Sequence, residues 1–370
     1  MRDFDLNARA IGLLTSVYFL TFALMQLPAG LLLDRFGPRR VLAALLGFGI
    51  AGATLFAAAS EFAALAIGRA LLGLGGSTCL MASFTAAALW CSRQRLALVN
   101  GSILALGSLG GIVATLPVEW LLQAVDWRWI WGCLAALTLL VILALLRAPE
   151  RREPGAGPRG WSGYAAVFRT TLFWRIAPAV TLTQGTWLAY QGLWAGGWLS
   201  DIAGLGRETV AAHLLIVVAA AVPGYLIFGY AAERLQRIGI SAQATFIGGQ
   251  LLFLAAQLLI FLFPRHQTWL AWTAFGFLGT AGGLGFSILT QAGPLMLAGR
   301  TNSALNLLLF AGAFALQFGI GWIVGFWPRA ADGSYPPVAH RTAFSLQFAL
   351  QVCAIGWFFL SPSLARRTGR

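Results

Sequence analysis

Of the 370 residues, 59% are hydrophobic and only 10% are charged, with a mean hydropathy of +0.77. A soluble domain carries about a quarter charged residues, so the balance excludes an ordinary soluble enzyme and points to a bilayer. The net charge of +13 does not read as a nucleic-acid surface, because the 25 basic residues, all arginine, sit mainly in short breaks between apolar runs.

In chain order the apolar runs predict eleven spans: 10–33, 41–59, 62–90, 97–121, 128–147, 172–199, 209–231, 240–263, 268–298, 303–327 and 341–361. Runs of about 20 residues cross roughly 30 Å of hydrocarbon as helices. They do not alternate as barrel strands would, so an all-α membrane protein is expected. The N-terminal MRDFDLNARA carries two Asp and does not read as a signal peptide. The stretch RAPERREPGAGPRG (147–160) divides five spans from six. The expected organisation is therefore an N-terminal helical bundle over 1–147, a cytoplasmic linker over 148–170 and a C-terminal bundle over 171–370. Cys79, Cys91, Cys133 and Cys353 show no CxxC spacing and read as small buried apolar residues. Seventeen arginines fall on one side of the spans and seven on the other, with Arg69 inside a span. The Arg-rich side, which holds the C-terminus, is expected to be cytoplasmic, with the N-terminus outside.

The first break, GLLLDRFGPRR (30–40), is echoed at 229–240 by GYAAERLQRIGI. Gly30, Asp34 and Arg35 align with Gly229, Glu233 and Arg234. At a similar offset GRALLGLGG (68–76) has a Gly-rich counterpart, FGFLGTAGG (275–283). Two parallel halves in a helical membrane protein predict a transporter whose halves rock against each other. A carboxylate at Asp34, at a helix end, can accept backbone N–H groups from a helix of the other half.

Arg69 lies about two turns inside its span, where a charge costs at least a few kcal/mol and faces either a cavity or a partner. It could hold an anion bidentately, or pair with Glu61. In TQGTWLAYQGLWAGGWLSD, Gln184, Trp187, Gln191, Trp194 and Trp198 share a helical face, with Tyr190 beside them, a polar stripe with aromatic walls suited to a solute cavity. Trp198 is expected at the membrane interface. Asn302, Asn306, Ala313 and Gln317 form a second stripe, which serves either a cavity or interhelical packing. The candidate solute-binding set is Arg69, Trp187, Tyr190, Gln191, Trp194, Asn306 and Gln317. No Asp or Glu occupies the middle of a span, and His213, His266 and His340 read as solvated loop residues. No HExxH, Walker loop or Ser-His-Asp arrangement occurs, so no enzyme, cofactor or metal is expected.

These residues resemble the major facilitator superfamily of secondary transporters. Its motif between the second and third spans, Gly-x-Leu-a-Asp-Arg-x-Gly-Arg-Arg, is similar to Gly30, Leu32, Asp34, Arg35, Gly37, Arg39 and Arg40, with Pro38 inserted. Arg69, Gly73 and Gly75 are similar to a second motif, of the fourth span. The resemblance implies a two-bundle fold and a gate formed by Gly30, Asp34, Arg35, Gly37, Arg39 and Arg40, with Gly229, Glu233 and Arg234 as its echo. The family norm is twelve spans, and here the charged loop follows one span instead of two, so 10–33 corresponds to the family's second. The Gly-Pro step of the family's antiporters is missing near Gly107, Gly110 and Gly111. The resemblance implies transport of a small polar solute, with Arg69 favouring an anion. It implies a multi-pass protein of the bacterial inner membrane, with solute and lipid as partners, no nucleic acid, and a monomeric state. Proton or other ion coupling, efflux of amphipathic compounds, and a truncated, non-transporting protein remain alternatives.

Overall fold

The computed structural model describes residues 6–91, 96–149, 161–265, 268–294 and 297–361, without the side chains at 34, 88, 96–98, 100–101 and 104–105. The described residues form helices and no strand. The first group is α1 (Ala8–Phe36), α2 (Pro38–Ala58), α3 (Phe62–Gly76), α4 (Cys79–Trp90), α5 (Leu96–Val113), α6 (Leu116–Ala124) and α7 (Trp127–Arg147). A short α8 (Ser162–Phe168) leads to α9 (Thr171–Ala189), a π-turn (Tyr190–Trp194) and α10 (Ala195–Asp201). Next come α11 (Arg207–Arg237), α12 (Ala242–Leu262), α13 (Thr268–Gly279), a 3-10 turn (Thr280–Gly283) and α14 (Leu284–Ala292). The last helices are α15 (Ala298–Val324) and α16 (Pro337–Leu360).

Among the described residues nine segments are long and apolar enough to cross a membrane. Two further helical paths, α5 with α6 and α9 through α10, run where spans were predicted. Four predicted spans are therefore broken midway. The breaks at Gly76–Thr78 and at Thr280–Gly283 fall at the paired Gly-Gly steps, so the two halves repeat their irregularity as well as their sequence. Local chemistry sets many ends. Asn7 and Ser241 accept backbone N–H groups of their own first turns, at 2.9 and 3.1 Å, and Asp126 does so at 2.8 Å. Gly37, at φ +83°, ends α1 with its N–H on the Leu33 carbonyl, and Pro38 opens α2 immediately.

The buried apolar clusters fall mostly within one group, except that Ala8, Leu27 and Leu31 of α1 join those of the second. Two large ones surround α9, in which twelve residues are buried, whereas α7 buries only Ala135 among its described residues. The groups meet along two seams. α1 lies beside α15 for its whole length. A Cβ on Gly12 would stand 3.2 Å from the Gly321 Cα, the Phe22 and Phe310 rings are 4.0 Å apart, and Gly30 faces Ser303 at the other end. The second seam joins α5 and α6 to α11. There Gly111 meets Val218, Arg207 Nε lies 2.5 Å from Glu119, and the Trp120 indole donates to Glu208. The start of α1 marks the Arg-poor face, and the Gly37 turn and α8 mark the Arg-rich face.

Two expectations are corrected here. Cys133 and Cys353 are exposed, which suits apolar residues when lipid is the solvent. His213 and His340 are 1% and 4% exposed, because each lies inside a helix and points inward. His266 falls outside the described residues.

Candidate solute site and gates

Arg69 stands in an aromatic box inside the first helical group. Its guanidinium carbon lies 5.1 Å from the Phe56 ring centre and 5.3 Å from that of Trp131, and its Nε is buried without a hydrogen-bond partner. Tyr18 of α1 is its titratable neighbour. Glu61 is exposed on the Arg-poor face and makes no ion pair with Arg69. Close Gly contacts bring the box together: Gly68 packs on Gly52, and Gly73 on the Tyr18 carbonyl, so α3 approaches α1 and α2 at backbone range.

The second helical group presents the amide and indole stripe, altered by the π-turn. That turn adds a residue to the register, so residues after 190 rotate away from the positions that a regular helix predicts. Tyr190 becomes core, against Trp272, Phe275 and Phe344. Trp198, expected at the interface, is 1% exposed and packs 4.9 Å from Phe344. Trp194 is buried, donates from Nε1 to the Gln317 carbonyl at 3.0 Å, and places its ring at the Gly12–Gly321 crossing.

Gln317 Oε1 and Trp187 Nε1 are buried with no partner, one acceptor and one donor. Gln191 and Asn306 are half-buried. The structure thus brings Trp194, Gln317 and the Gln191 turn together. Asn306 lies eleven residues along α15, about 16 Å toward the Arg-rich face. Arg69 stands apart, and an aromatic run links the two groups: Tyr18 to Phe22 at 5.8 Å, then Phe22 to Phe310 at 4.0 Å. Asn302, expected in the same stripe as Asn306, accepts from Thr290 at 2.9 Å and joins α14 to α15.

The predicted gate residues take varied roles. A Cβ on Gly30 would stand 2.6 Å from the Tyr164 hydroxyl, which itself donates to the Leu27 carbonyl at 3.1 Å. Arg300, buried, lies 4.8 Å over the same Tyr164 ring. Arg39 donates to the Ala148 carbonyl at 2.6 Å, just past the C-terminal end of α7, where a cation suits the helix dipole. Arg35 and Arg40 are exposed, and the Asp34 side chain lies outside the described residues. In the echo, Glu233 pairs with Arg237 at 2.5 Å, and Arg234 donates to the Tyr230 hydroxyl. A cavity of about 280 Å³ lined by Gly229, Glu233, Gln236, Ser287 and Gln291 opens beside them.

A buried amide network escaped the sequence reading. Gln257 of α12 accepts from Gln347 and Gln351 of α16, both at 2.9 Å, and Thr186 of α9 donates to Gln347 at 2.6 Å. Thr183 donates to Gln250 nearby. The i, i+7 spacing of Gln250 and Gln257, and the i, i+4 spacing of Gln347 and Gln351, were available signals of the kind used for Gln184 and Gln191.

The model of the Major Facilitator Superfamily matches residues 1–325. The "Probable sugar efflux transporter" of Helicobacter acinonychis (strain Sheeba) is 26% identical over 329 residues, 88% of this chain and 80% of that protein. The "Nitrite extrusion protein" of Bacillus subtilis (strain 168) is 25% identical over 190 residues, 51% of this chain and 47% of that protein. Among solved structures, a bacterial homolog of the human lysosomal transporter Spinster, inward-facing and unoccupied, superposes with a TM-score of 0.75. It is 17% identical, and the match covers 97% of this chain and 90% of that one. With its helical halves, its charged turn at Gly37 and a family match over most of its length, the chain belongs to the Major Facilitator Superfamily of membrane transporters.

Proposed function

We propose that this transporter carries a small polar solute bearing a negative charge across a bacterial inner membrane, by rocking its two helical groups about the α1–α15 and α6–α11 seams. The Arg-rich face is read as cytoplasmic. Arg69 carries the reading. Its cation lies within a span with no carboxylate paired to it among the described residues, held against ring faces with its Nε–H unpartnered, and an anion would supply the missing acceptor. Gln317 and Trp187 supply an unpaired amide oxygen and an unpaired indole N–H from the second group, with the half-buried Gln191 beside them, so the solute would be clasped by charge on one side and by neutral polar groups on the other.

A second reading, a neutral hydroxylated solute or an amphipathic compound moved outward, draws on the amide and indole stripe and on the sugar-efflux relative. Purified protein in liposomes separates the two, with nitrite, lactate and phosphate as anionic probes and radiolabelled glucose as the neutral one. Saturable anion flux that Arg69→Gln reduces by at least about 100-fold, the scale of losing a charged hydrogen-bond pair, supports the anion reading. Anion flux that is absent, or unchanged in Arg69→Gln, overturns it. Glucose flux unaffected by Arg69→Gln would establish the second.

A further inference from the structure

We propose that Asp201 and His340 form a proton-binding site of the transport cycle, and that loading it holds the Arg-poor face shut. The proposal rests on the alternating-access reading above.

His340 Nε2 lies 2.8 Å from Asp201 Oδ2, with both side chains largely withdrawn from solvent at 4% and 14% exposure. Asp201 also accepts the Tyr335 backbone N–H at 3.1 Å and the Ser200 hydroxyl at 2.9 Å. Two routes lead from this pair to α1, in the other helical group. Through the loop, the Tyr335 hydroxyl accepts the Ala8 backbone N–H at 2.8 Å, at the first residue of α1. Through the core, the His340 ring lies 6.5 Å from that of Trp194, whose Cζ2 sits beside both Gly12 and Gly321. A carboxylate–imidazole pair is thus wired to two of the points where α1 meets the second group on the Arg-poor face.

The other charged groups of the surrounding elements are engaged elsewhere. Arg265 donates to the Ile202 carbonyl, Arg329 to Gly333, and Arg341 lies over Phe261. Arg9 of α1 lies over Trp322 and Phe326, and Asp332 is bonded to Ser334. On α11, Arg207 pairs with Glu119, Glu208 accepts from Trp120, and His213 is bonded to Thr209 and Thr268. Arg2, Asp3 and Asp5 lie outside the described residues.

The step is a single protonation. A proton from water at the Arg-poor face forms one N–H bond on the imidazole, and its release breaks that bond. Loading converts an imidazole–carboxylate hydrogen bond into an imidazolium–carboxylate ion pair, which adds the attraction of opposite charges to a bond already made. The anchor under Tyr335 then tightens, and with it the hold on Ala8. Unloading loosens the hold and frees α1 to swing.

The test uses the full chain with its native cysteines replaced by Ser and nitroxide labels at Ser60→Cys and Thr209→Cys, on exposed positions of the Arg-poor face in the two groups. Electron-spin distance measurements in nanodiscs run from pH 8 to pH 5. The closed-to-open ratio should rise about tenfold as pH falls, the change that a one-unit difference in proton affinity between the closed and open faces produces. His340→Gln and Asp201→Asn should each flatten this response. Tyr335→Phe leaves the pair intact and removes only the bond from Ala8, so it should lower the closed fraction at every pH while keeping the midpoint. A wild type indifferent to pH, an unchanged response in Asp201→Asn and His340→Gln, or a midpoint shifted by Tyr335→Phe each overturns the proposal. Distances need no solute, so a failure of vesicle flux with an intact pH response would count against the transport reading and not against this site.

Discussion

The hydroxyl of Tyr164 occupies the space that a side chain at residue 30 would need, 2.6 Å from an ideal Cβ on Gly30. The sequence motif therefore has a steric meaning at its first position. A tyrosine from the connecting helix α8 reaches over α1, bonds to the Leu27 carbonyl, and is covered by the guanidinium of Arg300.

Gly30→Ala should push this strap away. Overpacking of this kind costs about 1–3 kcal/mol, so thermal unfolding in detergent should drop by several degrees. Tyr164→Phe removes only the hydrogen bond and should cost about 1 kcal/mol. If Gly30→Ala melts with the wild type, the contact is not tight in solution. The double variant Gly30→Ala with Tyr164→Ala should recover the loss due to the clash, since nothing then stands in the way.

Gly37 tests the turn itself. At φ +83° and ψ +159°, a region essentially confined to glycine, a side chain is strained, and Gly37→Ala should lose about 1–3 kcal/mol. The effect should appear as a lower melting temperature with helicity retained, measured by circular dichroism. Gly47, inside α2 with open space around it and no positive φ, is the control, and its replacement by Ala should lose no stability.

The amide network predicts an asymmetry. Gln257→Leu removes the acceptor of the Gln347 amide and the donor to the Gln351 carbonyl, while the Gln351 amide keeps its bond to Gln347, at a cost of about 1–3 kcal/mol for each group left unsatisfied. Replacing all three glutamines by Leu removes the amide donors and acceptors together, leaving only the Thr186 hydroxyl without its acceptor, and should destabilise less than the single change. Urea or thermal melts of the wild type and the two variants decide the matter. A triple variant much weaker than Gln257→Leu would show that the amides contribute more than mutual satisfaction.

Stability should also depend on acid through Asp201, two residues beyond the predicted span 172–199. Burial raises its carboxyl pKa, but the hydrogen bond from His340, the Tyr335 N–H and the Ser200 hydroxyl outweigh this and hold it below the usual carboxylate value. A depressed folded value means that the contribution is fully present above the unfolded pKa, near 3.9, and is lost as pH falls through the folded value. Melting temperatures measured from pH 7 down to pH 3 should show wild type above Asp201→Asn at neutral pH, with the two converging at the acid end. Parallel curves would deny the carboxylate this role.

Much of this protein could be read from residues alone. Composition and run length identify the helices as membrane helices, because a bilayer offers an unpaired backbone no water and so forces long apolar segments. Gly37-Pro38 announces the turn, since those two residues restrict the backbone in their own right. The echo at Gly229, Glu233 and Arg234 announces the repeat. Other features depend on partners far apart in sequence. The π-turn rotates the residues after Tyr190, because one inserted residue shifts the register, which a periodic pattern cannot signal, and Phe344 of α16 packs on both Tyr190 and Trp198. Packing between α2, α3 and α7 gave Arg69 ring faces at Phe56 and Trp131 in place of Glu61. His340 is buried because its partner lies 139 positions earlier, at Asp201. Local chemistry sets where helices begin, turn and cross a membrane. Which polar groups find one another, and which are left unpaired to meet a solute or a proton, is decided only when helices distant in the chain close around them.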